Sequence, residues 1–313
     1  MPELPDITVY IESLHRFFGG RPLNSLVIRS PLLLRTFDPP VSSVTGLTVQ
    51  GFRRMGKRIV WEMEGGLFLV FHLMVAGRYH LRKPGSKPRS RNDLAAFHFS
   101  DHTVMLTEAA TRKRAALHVV IGEEALKMHE PGGIDVLEGS LAAFSDRLTA
   151  ENHTLKRALT DPSLFSGIGN AYSDEILHAA ALSPIQWTQR LSRDQIDRLY
   201  VVVQRVLTDW TNALRVQNSN GFPERVTAFR SEMAVHGKYG LPCPVCRTSV
   251  QRIVYTSQET NYCPRCQTGG KVLADRALSR LLKGDWPKTV DDLESFKYTT
   301  GQGRRGPLSA PVI

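Results

Sequence analysis

The four cysteines of the chain form two Cys-x2-Cys pairs within one short segment. Cys243 and Cys246 make the first pair, Cys263 and Cys266 make the second, and sixteen residues lie between the pairs. Two residues between thiols let one turn present both sulfurs to a single ion, and a second such turn completes a tetrahedron. The spacing predicts one Zn²⁺ site. Four thiolates leave no open coordination position, so the zinc is expected to be structural and not to activate water.

The start of the chain, MPELPD, offers a different chemistry. If Met1 is removed, Pro2 becomes a free secondary amine, which is a nucleophile, and the carboxylate of Glu3 stands beside it. The alternative is that these residues form only a tight lead-in to a helix. The residues of this segment alone leave both interpretations open.

A glycine-containing turn, SGIGN, follows a segment with helical character. Gly167 and Gly169 permit tight turns between a helix ending near Thr160 and another starting near Asn170. Glycine turns and helix N-termini present unpaired N–H groups that suit a phosphate oxygen. Asn170 adds a side-chain donor and Lys156 a cation, so the turn is a candidate for holding a nucleic-acid backbone.

The charge balance favours a polyanionic partner. The chain has 40 Lys and Arg against 30 Asp and Glu, which gives a net charge of +10 and suits nucleic acid or an anionic membrane surface. It contains no apolar run long enough to cross a bilayer and no signal-peptide pattern. Clustering of all the cysteines argues against a disulfide scaffold. We therefore expect a cytosolic protein.

The predicted secondary structure that must position these groups changes along the chain. A helix follows the first six residues, and short β-branched and aromatic runs from about 23 to 120 predict an antiparallel sandwich or barrel. Helical periodicity dominates from about 140 to 235, and the cysteine segment alternates like a hairpin. The first part of the tail predicts one helix, whereas 299–313 has the composition of a disordered segment.

Taken in order, five motifs resemble those of one family, the formamidopyrimidine-DNA glycosylases and their endonuclease VIII relatives, nearly as far as Cys266. The motifs are MPELPD, RRMGKRIV, FHLM, SGIGNAYSDEIL and CPVC…CPRC. The resemblance implies an α+β fold. Its parts are an N-terminal helix with an antiparallel β-sandwich, a C-terminal helical domain with a helix–two-turn–helix element, and a four-cysteine zinc-finger hairpin. The expected boundaries are 1–130, 131–235 and 236–270, with a partly disordered tail at 271–313.

The resemblance also implies an activity and its residues. Such an enzyme flips an oxidised base, such as 8-oxoguanine or a formamidopyrimidine, out of duplex DNA, excises it and nicks the strand by β/δ-elimination. Pro2 would attack C1′ to form an imine, Glu3 would transfer protons, and Lys57 would reach the phosphate of the damaged nucleotide. Lys156 and Asn170 match backbone-phosphate contacts. We expect a cytoplasmic, nucleoid-associated monomer of bacterial type. It would act on duplex DNA carrying oxidised bases or abasic sites and would have no membrane partner.

The resemblance is weaker at the residues that enter the duplex. Met74 matches the apolar residue that fills the gap left by the flipped base. The family's Asp-Pro-Arg-Arg-Phe-Gly motif is missing, and Arg112 or Arg114 in TEAATRKRAAL would have to replace its arginine. Gln258 stands where the zinc hairpin of the family has a phosphate-binding arginine, and Arg252 is a possible compensating cation. The hairpin either contacts the backbone or serves only as a folding staple.

Three other functions remain as alternatives. The first is an endonuclease VIII-like glycosylase for oxidised pyrimidines, which is kept because the Asp-Pro-Arg-Arg-Phe-Gly motif is missing. The second is a catalytically impaired DNA-damage-binding protein, against which the retention of Pro2, Glu3 and Lys57 argues. The third, a zinc-ribbon transcription or RNA-binding factor, leaves the N-terminal motif unexplained.

Overall fold

The computed structural model describes residues 1–255 and 258–299. The polypeptide divides into two compact units, which we describe separately. Unit 1 comprises Met1–Asp135, Phe165–Ile168 and Leu207–Ala228, and unit 2 comprises Val136–Leu164, Gly169–Val206 and the residues from Phe229 onward. Residues 300–313, for which the sequence predicts disorder, lie outside the described part.

Unit 1 begins with helix α1, Leu4–Phe18. Its apolar residues recur at helical spacing and bury Ile7, Tyr10 and Leu14 in the main core. The helix ends where Gly19 leaves the helical conformation. This long amphipathic helix fixes the position of the residues that precede it.

Two four-stranded antiparallel sheets follow in unit 1, so the prediction of an antiparallel β domain behind one helix is confirmed. One sheet has the strand order β1-β6-β7-β5 and the other β2-β3-β4-β8. The eight strands are β1 Ser25–Ile28, β2 Val49–Met55, β3 Arg58–Met63, β4 Leu67–His72, β5 Gly77–Arg82, β6 Asp93–His98, β7 Thr103–Glu108 and β8 Ala116–Ile121.

The core of unit 1 lies between α1 and the two sheets. Trp61 is fully buried and contacts the rings of Phe71 and Phe97 at centroid distances of 5.1 Å each. Burial of such large rings is a major source of the hydrophobic stabilisation of this unit. On the opposite face of the second sheet, Val60 and Val70 form a smaller apolar cluster with Leu126 of α2, Glu123–Lys127.

Unit 2 contains the helices predicted on either side of the glycine turn. None of the helices in residues 1–255 and 258–299 is long and apolar enough to cross a membrane. The helices are α3 Leu141–Thr149, α4 Leu155–Thr160, α5 Asn170–Ala179 and α6 Arg193–Gln217, the last of which continues into unit 1.

The cysteine segment of unit 2 forms a hairpin of β9, Gln251–Tyr255, and β10, Gln258–Tyr262, and then a short helix α7, Pro264–Thr268. The tail adds α8, Arg276–Leu282, and α9, Val290–Thr299, so it contains a second helix that the sequence did not predict. The buried carboxylate of Asp275 accepts a hydrogen bond from the Val254 backbone N–H at 3.0 Å. The first part of the tail therefore packs against β9.

Candidate active site and nucleic-acid interface

The first turn of α1 holds two buried carboxylates. Glu3 is the N-cap, and its side chain accepts from the Asp6 backbone N–H, while the Asp6 side chain accepts from the Glu3 N–H at 3.0 Å. Each residue is only 2 % exposed. This capping box satisfies two of the free N–H groups at the helix start, and the helix dipole favours negative charge there. Pro2 precedes Glu3 and is buried.

Lys57 lies in the tight turn between β2 and β3. Its Nζ donates a hydrogen bond to the Ile168 carbonyl at 2.9 Å. Burial lowers the pKa of Lys57, and the negative charge of Glu3 opposes that shift. Lys57 and Glu3 therefore interact electrostatically within unit 1.

The amino group of Met1 lies in the same environment. Its pKa is lowered mainly by burial; Arg78 and Lys57 lower it further, whereas Glu3 and Asp6 raise it. A lowered pKa increases the neutral fraction of an amine, and the neutral form is the nucleophile. The amino end of the chain thus lies among two carboxylates and two cationic side chains of unit 1.

The first half of the glycine turn, residues 165–168, belongs to unit 1 and holds this region together. The Leu4 N–H donates to the Gly167 carbonyl at 2.9 Å, and Arg54 donates to Ser166 Oγ at 3.0 Å. Gly167 has a φ of +85°, and a Cβ there would lie 2.8 Å from Leu4 Cβ. The position requires glycine for both reasons, whereas Gly169 has an extended conformation.

The turn between β4 and β5 carries Met74, for which the sequence predicts a role inside the duplex. Met74 has a φ of +53° and is half-buried, whereas the next residue, Val75, is 62 % exposed. Arg78 donates to the carbonyls of Gly77 at 2.6 Å and Val75 at 3.1 Å, and also to the carbonyl of Val226. The exposed apolar side chain of this turn is therefore Val75, on a backbone that Arg78 fixes.

His72, at the end of β4, is a site residue that the sequence analysis missed. Its Nδ1 accepts a hydrogen bond from the Met74 N–H at 3.2 Å, which assigns the ring proton to Nε2. Burial, and then the charges of Arg58 and Lys57, lower the pKa of His72 to about 4. The ring is consequently neutral at pH 7 and can donate one hydrogen bond. Its place in the FHLM motif, two residues before Met74, was the available signal.

The loop between β7 and β8 carries Arg112 and Arg114, and both side chains are exposed. The loop is organised by Glu108, which is 1 % exposed and whose carboxylate accepts from the N–H groups of Arg114, at 2.9 Å, and Ala115, at 3.0 Å. The ends of the loop are therefore fixed although the family motif is missing. Both arginines extend into solvent, so the geometry does not distinguish between them.

In unit 2, Lys156 and Asn170 form part of one buried network. Lys156 Nζ donates to the Asn170 carbonyl at 2.7 Å and pairs with Asp174 at 2.5 Å, and the opposite oxygen of Asp174 contacts His236 Nδ1 at 2.8 Å. Asn170 Nδ2 donates to the Glu259 carbonyl at 2.9 Å. Lys156 is thus an internal partner of the helix start, a position that its sequence spacing did not indicate.

The four cysteine sulfurs converge as the spacing predicts, and all lie within 4.8 Å of one another. Cys243 and Cys266 are 3.9 Å apart, and Cys246 and Cys263 are 3.3 Å apart. A tetrahedron of sulfurs around zinc has edges of about 3.8 Å, so these residues fit a zinc ion. His178 of α5, which the sequence analysis missed, approaches Cys243 Sγ with its Nε2 at 3.3 Å.

The hairpin between the cysteine pairs carries the remaining predicted contacts. Gln258 starts β10 opposite Tyr255, and its side chain lies outside the description. Arg252 pairs with Glu259 at 3.0 Å and lies over the ring of Tyr239 at 4.2 Å. The charge of Arg252 is therefore partly neutralised by an acid of the same hairpin.

Three domain families match successive parts of the chain. The formamidopyrimidine-DNA glycosylase N-terminal domain matches residues 1–116, the formamidopyrimidine-DNA glycosylase H2TH domain matches residues 135–220, and the zinc finger found in FPG and IleRS matches residues 240–269. The order of the three matches is the order of the motifs in the sequence.

Curated relatives cover most of the chain. The formamidopyrimidine-DNA glycosylase of Desulfitobacterium hafniense is 30 % identical over 278 residues, which is 85 % of this chain and 100 % of that protein. An uncharacterized formamidopyrimidine-DNA glycosylase-like protein of Mycobacterium tuberculosis is 42 % identical over 151 residues, which is 48 % of this chain and 94 % of that protein.

Solved structures share the fold. The Lactococcus lactis Fpg in complex with abasic-site DNA superposes with a TM-score of 0.74 at 24 % identity, covering 85 % of this chain and 99 % of that one. MutM in complex with DNA containing carbocyclic 8-oxo-G gives a TM-score of 0.75 at 25 % identity, covering 85 % and 100 %. Together with the domain matches and the curated relatives, these results show that the chain is a DNA-repair glycosylase and belongs to the formamidopyrimidine-DNA glycosylase family.

Proposed function

We propose that this glycosylase is bifunctional, excising oxidised purines from duplex DNA and cleaving the strand at the resulting abasic site. The observation that carries the proposal is the electrostatic arrangement around the amino end of the chain. There, a buried carboxylate, Glu3, and a half-buried amine, Lys57, both act on the pKa of the Met1 amino group. An amine with a lowered pKa next to a proton-transferring acid suits imine chemistry.

In the proposed reaction, removal of Met1 makes the Pro2 nitrogen the terminal amine. Its lone pair forms a bond to C1′ of the flipped nucleotide while the bond from C1′ to the base breaks. The base leaves with that electron pair and takes up a proton. Because proline is a secondary amine, the adduct becomes a cationic iminium once the sugar ring opens and the nitrogen has lost its proton.

Glu3 supplies the proton transfers in this proposal. Its carboxyl group would protonate the ring oxygen of the sugar as the C1′–oxygen bond breaks. The iminium then acidifies the C2′ proton; loss of that proton expels the 3′ phosphate, and a second elimination expels the 5′ phosphate. Lys57 would bind the phosphate of the damaged nucleotide and thereby orient the sugar.

Contacts that hold the duplex are assigned to both units. Asn170, at the start of α5, and His72, with its Nε2 proton, are proposed donors to backbone phosphates. The position of Lys156 suggests that it orients Asn170 through its carbonyl. Arg112 and Arg114 are proposed to approach the base opposite the lesion.

We assign the apolar wedge to Val75 in place of Met74. The support for this change is exposure: Val75 is 62 % exposed at the tip of its turn, whereas Met74 is half-buried. An apolar side chain inserted between base steps must project from the surface before DNA binds. A short β-branched side chain there would fill less of the gap than methionine.

The proposed lesion class is 8-oxoguanine and formamidopyrimidines, following the family and its solved complexes. Those structures include complexes with a FAPY-dG containing DNA and with a carbocyclic 8-oxo-G containing DNA. A further structure holds the Lactococcus lactis protein with an oxidised pyrimidine containing DNA. Because the 109–115 loop lacks the family motif, oxidised pyrimidines are the alternative lesion class.

Zinc is the proposed metal of the four-cysteine module. The sulfur distances fit a tetrahedral thiolate site, and the module matches a zinc-finger family. When bound, zinc would supply folding free energy to the hairpin and no catalytic water.

The test is borohydride trapping on duplexes with 8-oxoguanine, 5-hydroxyuracil or an abasic site, followed by mass spectrometry of the adduct. Protein confirmed to begin at Pro2 should form a covalent adduct on Pro2, fastest with the purine lesion. Pro2→Gly should impair or abolish strand cleavage.

The same experiment separates the alternatives. Faster trapping on 5-hydroxyuracil would move the assignment to oxidised pyrimidines. Duplex binding with no adduct on any of the three substrates would instead identify a DNA-damage-binding protein without turnover.

A further inference from the structure

A group of arginine and histidine side chains extends from His72 across one face of the β2-β3-β4-β8 sheet. Arg58 of β3 pairs in register with His72 of β4, and His118 of β8 pairs with Val70. Since strand residues two apart share a face, all of them lie on the face that carries Val70 and the small apolar cluster. The ring of His129 packs on that of His118 with centroids 4.5 Å apart.

Arg58 is the centre of this group. Its guanidinium donates to the His129 carbonyl at 2.5 Å, and no carboxylate among residues 1–255 and 258–299 forms an ion pair with it. Burial lowers the pKa of Arg58, and no neighbouring acid offsets this effect. A partly buried cation without a counter-ion is energetically costly, and a bound anion would remove much of that cost.

A second arginine of the same sheet has the carboxylate partners that Arg58 lacks. Arg53 of β2 pairs with Glu62 at 2.9 Å and with Glu123 at 2.8 Å. The two arginines lie on neighbouring strands, yet one has two carboxylate partners and the other has a single carbonyl. The missing partner is therefore specific to Arg58.

The imidazoles around Arg58 provide donors without providing a counter-charge. The pKa of His118 falls to about 4, first through burial and then through the charges of His129, Arg58 and Arg35. Burial, followed by the charge of Arg58, also lowers the pKa of His129. At pH 7 the rings are neutral, and each can donate one N–H to an oxyanion.

We propose that Arg58, His118 and His129 form a binding site for a backbone phosphodiester of the DNA, next to the phosphate that Lys57 is proposed to bind. The inference rests on the proposed function, because it requires duplex DNA as the ligand. A phosphodiester matches the group: it brings one negative charge for the guanidinium and two free oxygens for the neutral rings. The charges of Arg58 and Lys57 both act on the ring of His72, so the two cations lie near a common neighbour.

The test measures the affinity for an abasic-site duplex between about 50 and 200 mM salt. Arg58→Gln should reduce the slope of log affinity against log salt by about 0.9, the value for one phosphate contact, and should lower affinity at low salt about tenfold. Arg58→Lys, which keeps the charge, should retain the slope. Arg53→Gln, the matched control, should leave the slope unchanged.

An Arg58→Gln protein that melts like wild type and keeps the full salt slope would overturn the inference. Wild-type protein without salt-dependent duplex binding would instead contradict the proposed function itself. Inorganic phosphate, titrated at constant ionic strength against the ring resonances of His118 and His129, tests the other source of a phosphate. If Arg58→Gln abolishes those shifts but not the duplex slope, the site binds free phosphate and the DNA assignment is wrong.

Discussion

The amino-terminal site and the four-cysteine module assemble their polar groups in opposite ways. In the module, all four sulfurs come from a segment of 24 residues, and two turns supply two sulfurs each. At the amino-terminal site, Glu3 and Lys57 come from separate segments, which are joined by backbone carbonyls of the 165–168 turn. One site is local and the other depends on packing between distant parts of unit 1.

The two sites are therefore sensitive to substitutions at different kinds of residue. Metal binding at a local site depends on each of its ligands, since removing one sulfur leaves the ion incompletely coordinated. A site assembled from distant segments also depends on residues that never touch the substrate, such as Gly167, whose missing Cβ lets the turn approach Leu4. The predictions below test the two regions against each other.

The largest expected effect is loss of the metal. Cys263→Ser should reduce bound zinc from one ion per chain to none, because structural sites of this kind contribute about 10–16 kcal/mol of apparent binding free energy. Elemental analysis of the purified protein measures the zinc, and DNA affinity should fall as the hairpin loses its order. Glu3→Gln is the control and should retain its zinc. Stoichiometric zinc in Cys263→Ser would contradict the four-cysteine site.

The next effect is confined to the amino-terminal site. Glu3→Gln should slow base excision by about 10² to 10⁴-fold, the usual contribution of a positioned acid or base. The fold should persist because the glutamine amide oxygen can still accept the Asp6 N–H. Single-turnover excision assays measure the rate, and Glu12→Gln, an exposed change on the same helix, serves as the control. Normal excision by Glu3→Gln would remove Glu3 from the proposed mechanism.

A smaller effect is expected where α5 meets the module. His178 is buried, which lowers its pKa, and its Nε2 lies 3.3 Å from Cys243 Sγ, so the neutral ring can donate a hydrogen bond to the thiolate. His178→Phe should weaken zinc binding about 10 to 100-fold, as loss of an outer partner of a metal ligand does. Competition with a chelator measures this change. His178→Gln, which keeps a donor, should bind zinc more tightly than the phenylalanine variant; equal affinities would argue against the hydrogen bond.

The smallest effect concerns the pH dependence of strand cleavage. Burial and then the charges of Arg78 and Lys57 lower the pKa of the terminal amine, and Pro2 lies next to that amine in the chain. Arg78→Gln should therefore raise the pKa, reduce the neutral amine at neutral pH, and move the rate profile to higher pH by less than about one unit. Arg78→Lys should restore the profile, and Arg82→Gln, on the same strand but paired with Glu224, should not move it. An unchanged profile in Arg78→Gln would contradict the electrostatic role.

The sequence predicted the local features well. Cysteine spacing predicted the metal module, and helical periodicity predicted α1, although that helix begins at Leu4 and not after the first six residues. Strands β2 and β5 lie within the predicted β region but do not stand out as apolar runs, because arginine and glycine interrupt their alternation and only the fold shows which face is buried. Resemblance selected Met74, but the backbone of the turn decides which of two adjacent side chains is exposed, and the exposed one is Val75.

Other site residues were beyond sequence reasoning because their partners are remote in the chain. Glu108 organises the loop that carries Arg112 by accepting from backbone N–H groups, and an acid at a strand end carries no mark of that role in the sequence. The pairing of Lys156 with Asp174, and of His178 with Cys243, depends on helix packing and not on spacing. Such contacts become visible only once the elements are placed.

The tail and helix α5 have a consequence for the zinc hairpin. A two-stranded ribbon exposes an unpaired edge on each side, and such edges can pair with strands of other molecules and start aggregation. Here Asp275 accepts from the Val254 N–H on the outer side of β9, and Asp174 accepts from the Asn261 N–H on the outer side of β10 at 3.2 Å. A carboxylate thus occupies a backbone donor on each edge, so the hairpin is protected against strand addition on both sides.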